Sequence, residues 1–335
     1  MDDDVIQLEH GGGGAMSRDL IRDEIGARFG AGPLAGFPDG ARLDMAGSRI
    51  AFTTDSYVVQ PIEFPGGNIG DLAVHGTVND LAVCAARPRW LSVGLILEEG
   101  LSRALLGRVL DALQRAAEAC GVTVATGDTK VVARGQCDGL YVNTAGVGDL
   151  LPGFDPDPAR IRAGDAVLVS GTIGDHGMAV MTAREGIDIS GAPQSDTGPV
   201  HRLVEAMQPW AQACRFMRDP TRGGVAAVLN ELVEQRPYGA VLDEAALPRA
   251  PGTAAAAEML GIDLLNVACE GRLLAVCARE GADDVLEAWK QLPEGRHAVR
   301  IGEVSPDAGR IVLATVIGGR RLVDVPRGEL LPRIC

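Results

Sequence analysis

The sequence predicts an α/β protein of two domains, mixing helices with strands in each. Three observations carry this expectation. At 335 residues the chain is long enough for two cores. Its composition is 46% hydrophobic and 23% charged but only 4% aromatic. Cores built from Ala, Val, Leu and Ile rather than aromatics suit helices alternating with strands. Finally, the breaker-rich stretch Leu151-Pro-Gly-Phe-Asp-Pro-Asp-Pro158 divides the chain near its middle, with strand and helix patterns on both sides.

Taken in order, the elements begin with His10-Gly11-Gly12-Gly13-Gly14, whose four glycines hold neither helix nor strand cheaply and read as a loop. Residues 17–29 read as a short amphipathic helix. From Arg49 an apolar run forms a strand ending near Asp55. Residues 71–85 form a helix carrying Asn79-Asp80, 91–97 a strand and 102–120 a helix. The strand 122–125 runs into Thr126-Gly127-Asp128-Thr129-Lys130, and 140–147 is a further strand. Beyond the linker, 165–171 is a strand leading to a helix after Gly177, and 200–214 is a helix. Asp219-Pro220-Thr221-Arg222-Gly223-Gly224 introduces the helix 225–235. Residues 271–278 are a strand, 281–291 a helix and 299–304 a strand. The stretch from Arg321 contains two prolines and reads as a flexible tail. The expected organisation is a Gly-rich segment and helix over 1–40, a first domain over 41–155, a second over 156–320, and a tail over 321–335 ending in Cys335.

Charge narrows the function. Against 31 basic residues stand 45 acidic ones, a net charge of −14. Such a surface repels nucleic acid and anionic lipid, whose binding rests on clustered Lys and Arg. A polyphosphate substrate would need metal ions to bring two negative partners together. No run of ~18 apolar residues occurs, so no membrane span is expected. The opening Met1-Asp2-Asp3-Asp4 is the reverse of a secretory signal. The seven cysteines are scattered without a C-x-x-C pair, which argues against a zinc knuckle or redox dithiol and for reduced thiols in a cytoplasmic protein. Six read as core fillers; Cys335 is the exception.

Three short segments place acidic or amide side chains near element ends: Asp55, Asn79-Asp80 and Gly127-Asp128. Oxygen ligands of this type hold the Mg²⁺ that accompanies a triphosphate, although each residue alone reads equally as a cap or turn former. In Asp219-Pro-Thr-Arg-Gly-Gly the glycines permit close backbone approach, and the helix start that follows favours negative charge. A tight capped turn explains the same run. The chain lacks G-x-x-x-x-G-K-[ST] and a Rossmann fingerprint after its first strand, so those modes of nucleotide binding are not expected. Among the histidines, His10 and His75 are the better functional candidates; His176, His201 and His297 read as surface or capping residues.

Together, Thr54-Asp55-Ser56, Asn68-Ile69-Gly70, Asn79-Asp80-Leu81-Ala82, Thr126-Gly127-Asp128-Thr129-Lys130 and Asp219-Pro220-Thr221-Arg222-Gly223-Gly224 resemble the aminoimidazole-ribonucleotide synthetase superfamily. The His-Gly-Gly-Gly-Gly opening, Cys269-Glu270-Gly271 and the final Pro332-Arg333-Ile334-Cys335 are similar to the carbamoyl dehydratase family of hydrogenase maturation. The resemblance covers nearly the whole chain. It implies a two-domain aminoimidazole-ribonucleotide-synthetase-like fold, a homodimer with ATP near the subunit interface, and ATP with Mg²⁺ as cofactors. It also implies a carbamoyltransferase that loads Cys335 and a scaffold complex that receives a cyano group on iron, as a ligand for nickel–iron hydrogenase. Carried over by position, Asp55, Asp80 and Asp128 would bind Mg²⁺ or phosphates, with Asn79 and Thr126 in the same nucleotide site. Asp219 and Asn230 would line that site from the second domain. Cys335, Glu270 and Lys130 would be catalytic.

The implied chemistry suits these residue types. A thiolate is the nucleophile that accepts the carbamoyl group. Amide oxygen leaves poorly until phosphorylated, and two N–H protons must go, so a base is needed near the nitrogen. Glu270 is the candidate base, a strand-end or metal-bound carboxylate being its other reading. Lys130 would steady the transferring phosphoryl group. Selenophosphate synthetase and thiamine-monophosphate kinase types are the alternatives within the superfamily. The first would want a cysteine near the glycine-rich N-terminus, where the earliest here is Cys84; the second gives no reason for Cys335. A non-catalytic nucleotide-gated carrier is the alternative from another class.

Overall fold

The computed structural model of the protein describes residue 6 and residues 15–29, 38–187, 189 and 191–325. The His10–Gly14 opening and the stretch carrying Arg333 and Cys335 lie outside the described residues. The N-terminal helical stretch comprises α1 (Ala15–Leu20), a π-helical segment at Ile21–Gly26, and α2 (Ala27–Phe29).

The first sheet begins with the hairpin β1 (Ala41–Met45) and β2 (Ser48–Tyr57). A short ribbon, β3 (Glu63–Phe64) with β4 (Gly67–Asn68), leads into α3 (Ile69–Val83). That helix starts where it does because Asn68 and Asp71 form a reciprocal capping box. Next come β5 (Ala86–Glu98), α4 (Arg103–Cys120), β6 (Thr123–Val132) and β7 (Leu140–Leu150). Gly121, in the left-handed region at φ 66°, ends α4. The sheet order is β1-β2-β7-β5-β6, antiparallel except for the β5–β6 pair. Alternation sorts its faces. Ala51, Thr53 and Tyr57 of β2 are buried on the helix side, whereas Phe52 and, on β5, Trp90 and Ile96 stay exposed. Residues 123–131 of β6 are exposed throughout.

The second sheet is built from β8 (Ala166–Val169), β9 (Cys214–Arg218), β10 (Gly239–Asp243), β11 (Leu274–Cys277), β12 (Val299–Ser305), β13 (Ile311–Ala314) and β14 (Arg320–Leu322). Its order is β14-β13-β10-β12-β8-β11-β9. Helices α5 (Asp175–Arg184), α7 (Gly224–Val233) and α8 (Pro251–Leu260) pack on one face, and α6 (His201–Ala206) with α9 (Arg279–Lys290) on the other. Val167 and Val169 of β8 enter the first of these cores and Ala166 and Leu168 the second, the apolar run expected of a strand covered on both sides. The mixed α and β architecture agrees with the fold class read from the sequence.

Of the expected elements, three change course. The helix expected over 200–214 ends at Ala206; a 3₁₀ turn at Gln208–Ala213, with Pro209 near its start and non-helical at Trp210, leads into β9. The 122–125 strand runs on through Thr126–Lys130 to Val132, held in parallel register by β5. The residues from Arg321 do not leave the fold at once. They finish β14, and Val323 is buried, its N–H donating to Ile311 O at 2.9 Å.

Candidate functional site

Four aspartates and a glutamate converge between the two sheets. Asp55 stands near the end of β2, and Asp80 near the end of α3. The Thr53 hydroxyl lies 2.8 Å from Asp80 Oδ2 and 2.7 Å from Asp39 O. Asp39 in turn accepts from Arg218 Nε at 2.8 Å, and Arg218 also pairs with Glu231. Asp219 follows β9, in a turn that needs its glycines. Gly223 and Gly224 sit at φ 76° and 60°, and a Cβ on Gly224 would lie 2.6 Å from both Leu265 O and Val267 O. Cys269 N donates to Pro220 O at 2.9 Å, tying the loop that bears Glu270 to this turn.

Electrostatics make these carboxyls one unit. Burial foremost, then the negative charges of Asp219, Asp39 and Asp55, holds Asp80 well above the ordinary carboxyl range. Burial, with Asp39 next, also pushes Asp219 up to about 8. Asp55 is raised by burial, opposed by Ser56 N–H and Arg222. Glu270 is raised strongly by burial and then by Asp219, Asp55 and Asp196, with Arg222 opposing. Only 2% of Glu270 is exposed, and its Oε1 has no hydrogen-bond partner among the described residues. A buried oxygen left so is expensive unless a ligand or proton meets it. Asp39, Arg218, Asp219, Thr221 and Arg222 also line a cleft of about 610 Å³, as do Arg18 and Arg22. Its size suits a small-molecule ligand.

The remaining expected site residues are placed differently. Asn79 is fully buried and its amide is spent on backbone groups of the second half of the chain. Asn230 Nδ2 donates to Ala226 O at 2.8 Å and Val323 O at 2.9 Å, which secures the end of the second sheet rather than facing the cleft. Thr126, Asp128 and Lys130 lie exposed on β6. Since β6 is three strands from β2, Asp128 stands about 14 Å across the sheet from Asp55. The trio Asp55, Asp80 and Asp128 is therefore not assembled within one chain. Among the described residues no three His, Cys, Asp or Glu side chains are grouped to hold a metal.

Sequence reasoning missed Asp39, Arg218 and Asp196. Asp39 precedes Gly40 and reads as a turn former; Arg218 is one arginine in a strand. His176 is not a surface residue: it is fully buried, 2.8 Å from Ser195 Oγ and edge-on to Phe64. The six described cysteines are all buried thiols, as core fillers should be.

Comparison with known proteins places these features. The AIR synthase related protein N-terminal domain matches residues 38–150, and its C-terminal domain residues 162–314. The chain is 47% identical to carbamoyl dehydratase HypE of Bradyrhizobium diazoefficiens, over 98% of this chain and 96% of that one. It resembles a crystal structure of a HypE–HypF complex with a TM-score of 0.87 at 40% identity, covering 92% of this chain and 99% of that one. A crystal structure of HypE in complex with ATP matches with a TM-score of 0.82 at 42% identity, covering 99% and 100%.

Proposed function

The chain belongs to the AIR synthase related family and, within it, to the HypE carbamoyl dehydratases, and from that membership we propose its reaction: ATP-dependent dehydration of an S-carbamoyl group on Cys335 to S-cyanide, in hydrogenase maturation. In the site, the observation that most supports this chemistry is Glu270, a buried carboxyl with an unpartnered oxygen beside a carboxylate-lined cleft.

The γ-phosphoryl group of ATP passes to the carbamoyl oxygen, and one N–H proton is lost as the C=N bond forms. Phosphate then leaves with the C–O bond as the second N–H proton is removed, giving the nitrile, ADP and phosphate. Glu270 is the proposed acceptor of the first proton and the departing phosphate takes the second; burial raises the proton affinity of Glu270 and excludes water, while Arg222 opposes that rise. Asp219 and Asp55 both raise the proton affinity of Asp80; their carboxylate oxygens are donors of the kind a divalent cation takes, but among the described residues these carboxyls are not by themselves grouped as a three-ligand site. Mg²⁺ held by Asp55 and Asp80 would neutralise phosphate charge there. Thr221 and Arg222, in the turn that opens α7, line the same cleft for the anionic end of the nucleotide.

A homodimer accounts for the position of Thr126, Asp128 and Lys130. The outer face of the first sheet leaves Phe52, Trp90 and Ile96 exposed, and β6 is uncovered with Val124 and Val131 exposed. The side chains of Thr126, Asp128 and Lys130 make no hydrogen bond among the described residues. A second copy packed on this face would cover the apolar groups, and its β6 would deliver Asp128 and Lys130 to the cleft. A carbamoyltransferase that loads Cys335, and a scaffold complex that receives the cyano group, complete the proposed partners.

Steady-state ATP hydrolysis tests the placement of the reaction. In the presence of carbamoyltransferase and carbamoyl phosphate, Cys335→Ala should abolish the stimulated hydrolysis. Equal stimulation in the variant would show that ATP is spent on something other than Cys335 and favour a nucleotide-gated carrier.

A further inference from the structure

Glu270 lies in a loop before β11, and a loop carboxylate acts as a base only if its backbone is held. The Glu270 peptide is gripped from both sides by side chains distant in sequence. Its N–H donates to Asp196 Oδ1 at 3.2 Å, and its C=O accepts from Asn79 Nδ2 at 3.2 Å and from Gly198 N at 3.4 Å. Neighbouring Gly271 has no Cβ, which would overlap Asp196 O. Cys269 N is fixed to Pro220 O.

The Asn79 amide has nothing left for a nucleotide. Val200 N donates to its Oδ1 at 2.8 Å, which fixes which end of the amide is oxygen. Its two Nδ2 protons then meet Gly198 O at 3.1 Å and Glu270 O. One turn earlier on α3, His75 Nδ1 lies 3.3 Å from Thr197 Oγ1. Burial and the neighbouring His201 lower the proton affinity of His75, to about 4. Asp196 has a side chain with no exposure, holds His176 N as well as Glu270 N, and faces Arg272 at 3.4 Å. The next residue on α3, Asp80, belongs to the carboxylate cluster. One helix thus carries a carboxyl of the cluster on one residue and the grip on Glu270 on its neighbour.

We propose that Asn79 and Asp196 are positioning residues that hold the Glu270 backbone against the cleft, and that Asn79 is not a nucleotide ligand. This rests on the reading of Glu270 as the base. It differs from the expectation drawn from family resemblance, in which Asn79 binds the cofactor.

The test separates binding from reaction. Full-length protein is carbamoylated on Cys335, ATP affinity is measured by calorimetry, and single-turnover loss of water from the carbamoyl adduct is followed at saturating ATP. Asn79→Ala, and Asn79→Asp, which keeps the shape and the acceptor for Val200 N but loses both donors, should slow the step by roughly 100-fold. Their ATP affinity should stay within about threefold of the parent. Asp196→Asn, which retains an acceptor for Glu270 N, should be much faster than Asp196→Ala. The proposal is overturned if Asn79 variants lose ATP affinity while turning over normally at saturation. It is equally overturned if affinity, rate and melting temperature fall together, since that is a folding defect. Glu270→Gln in the same assay keeps the two ideas apart. A full rate there removes Glu270 as base, whereas an inactive Glu270→Gln with normally active Asn79 variants removes only the positioning role.

Discussion

Asp219 concentrates what the site does with charge. Burial foremost, then the negative charges of Asp39 and Asp55, raises its carboxyl from 3.8 to about 8. A carboxyl that binds its proton more tightly when folded favours the native state while protonated. Its contribution is therefore lost as pH climbs from 3.8 through about 8. The melting temperature of ligand-free protein should fall across that window more steeply than that of Asp219→Asn, and Mg-ATP should flatten the difference. Parallel profiles for the two proteins would mean that Asp219 is not strained by its neighbours. At this scale the sequence was partly legible. Asp55 and Asp80 stand in segments whose residue types suggest oxygen ligands, whereas Asp219 and Glu270 entered the candidate site through the family resemblance. Asp39 does neither, because Pro38-Asp39-Gly40 spells a turn, and only the salt bridge to Arg218 reveals that it closes the cluster.

At the scale of elements, periodicity located the long, one-sided helices well. α4 buries Val109, Ala112, Leu113, Ala116 and Ala117 along one stripe and matches its expected span within a residue at the start. Strands covered on both faces were harder. β10 and β13 are short apolar runs that period-2 alternation does not mark, and β9 went unread because the helix expected over 200–214, which in fact ends at Ala206, reached its first residue. β6 was expected to stop before Thr126, since Gly127 and the polar run read as a loop. The strand persists because β5 pairs with it as far as Val132. That extension is what sets Asp128 and Lys130 on an exposed edge. If β6 of one copy completes the cleft of the other, Lys130→Ala and Asp55→Asn should each be inactive alone. Co-expressed, they should regain activity in the heterodimer, where one cleft is intact, up to roughly a quarter of the parental sites. No recovery in a verified heterodimer would place Lys130 outside the partner's cleft.

Across the whole molecule, the two sheets are joined by the residues that make the site. Arg218 reaches Asp39, Asn79 reaches Glu270 and Val200, and Ser195 N donates to Pro65 O at 2.8 Å. Such long-range pairings leave no mark in a linear pattern; they join residues more than a hundred positions apart by virtue of how α3 lies against the second domain. The division of labour follows from this geometry. The first domain brings Asp55 and Asp80, the second brings Asp219, Arg222 and Glu270, and in the proposed reaction the Cys335 thiol comes to them. Among the described residues no helix is long and apolar enough to cross a membrane.

The central claim is dehydration on Cys335, and mass spectrometry of the peptide that carries it tests this most directly. The protein would be incubated with a carbamoyltransferase and carbamoyl phosphate, with and without Mg-ATP. The account predicts a carbamoyl adduct on Cys335 in both samples, and loss of one water from it only where ATP is present. A loaded Cys335 that keeps its water at saturating Mg-ATP, in protein shown to bind ATP, would contradict it.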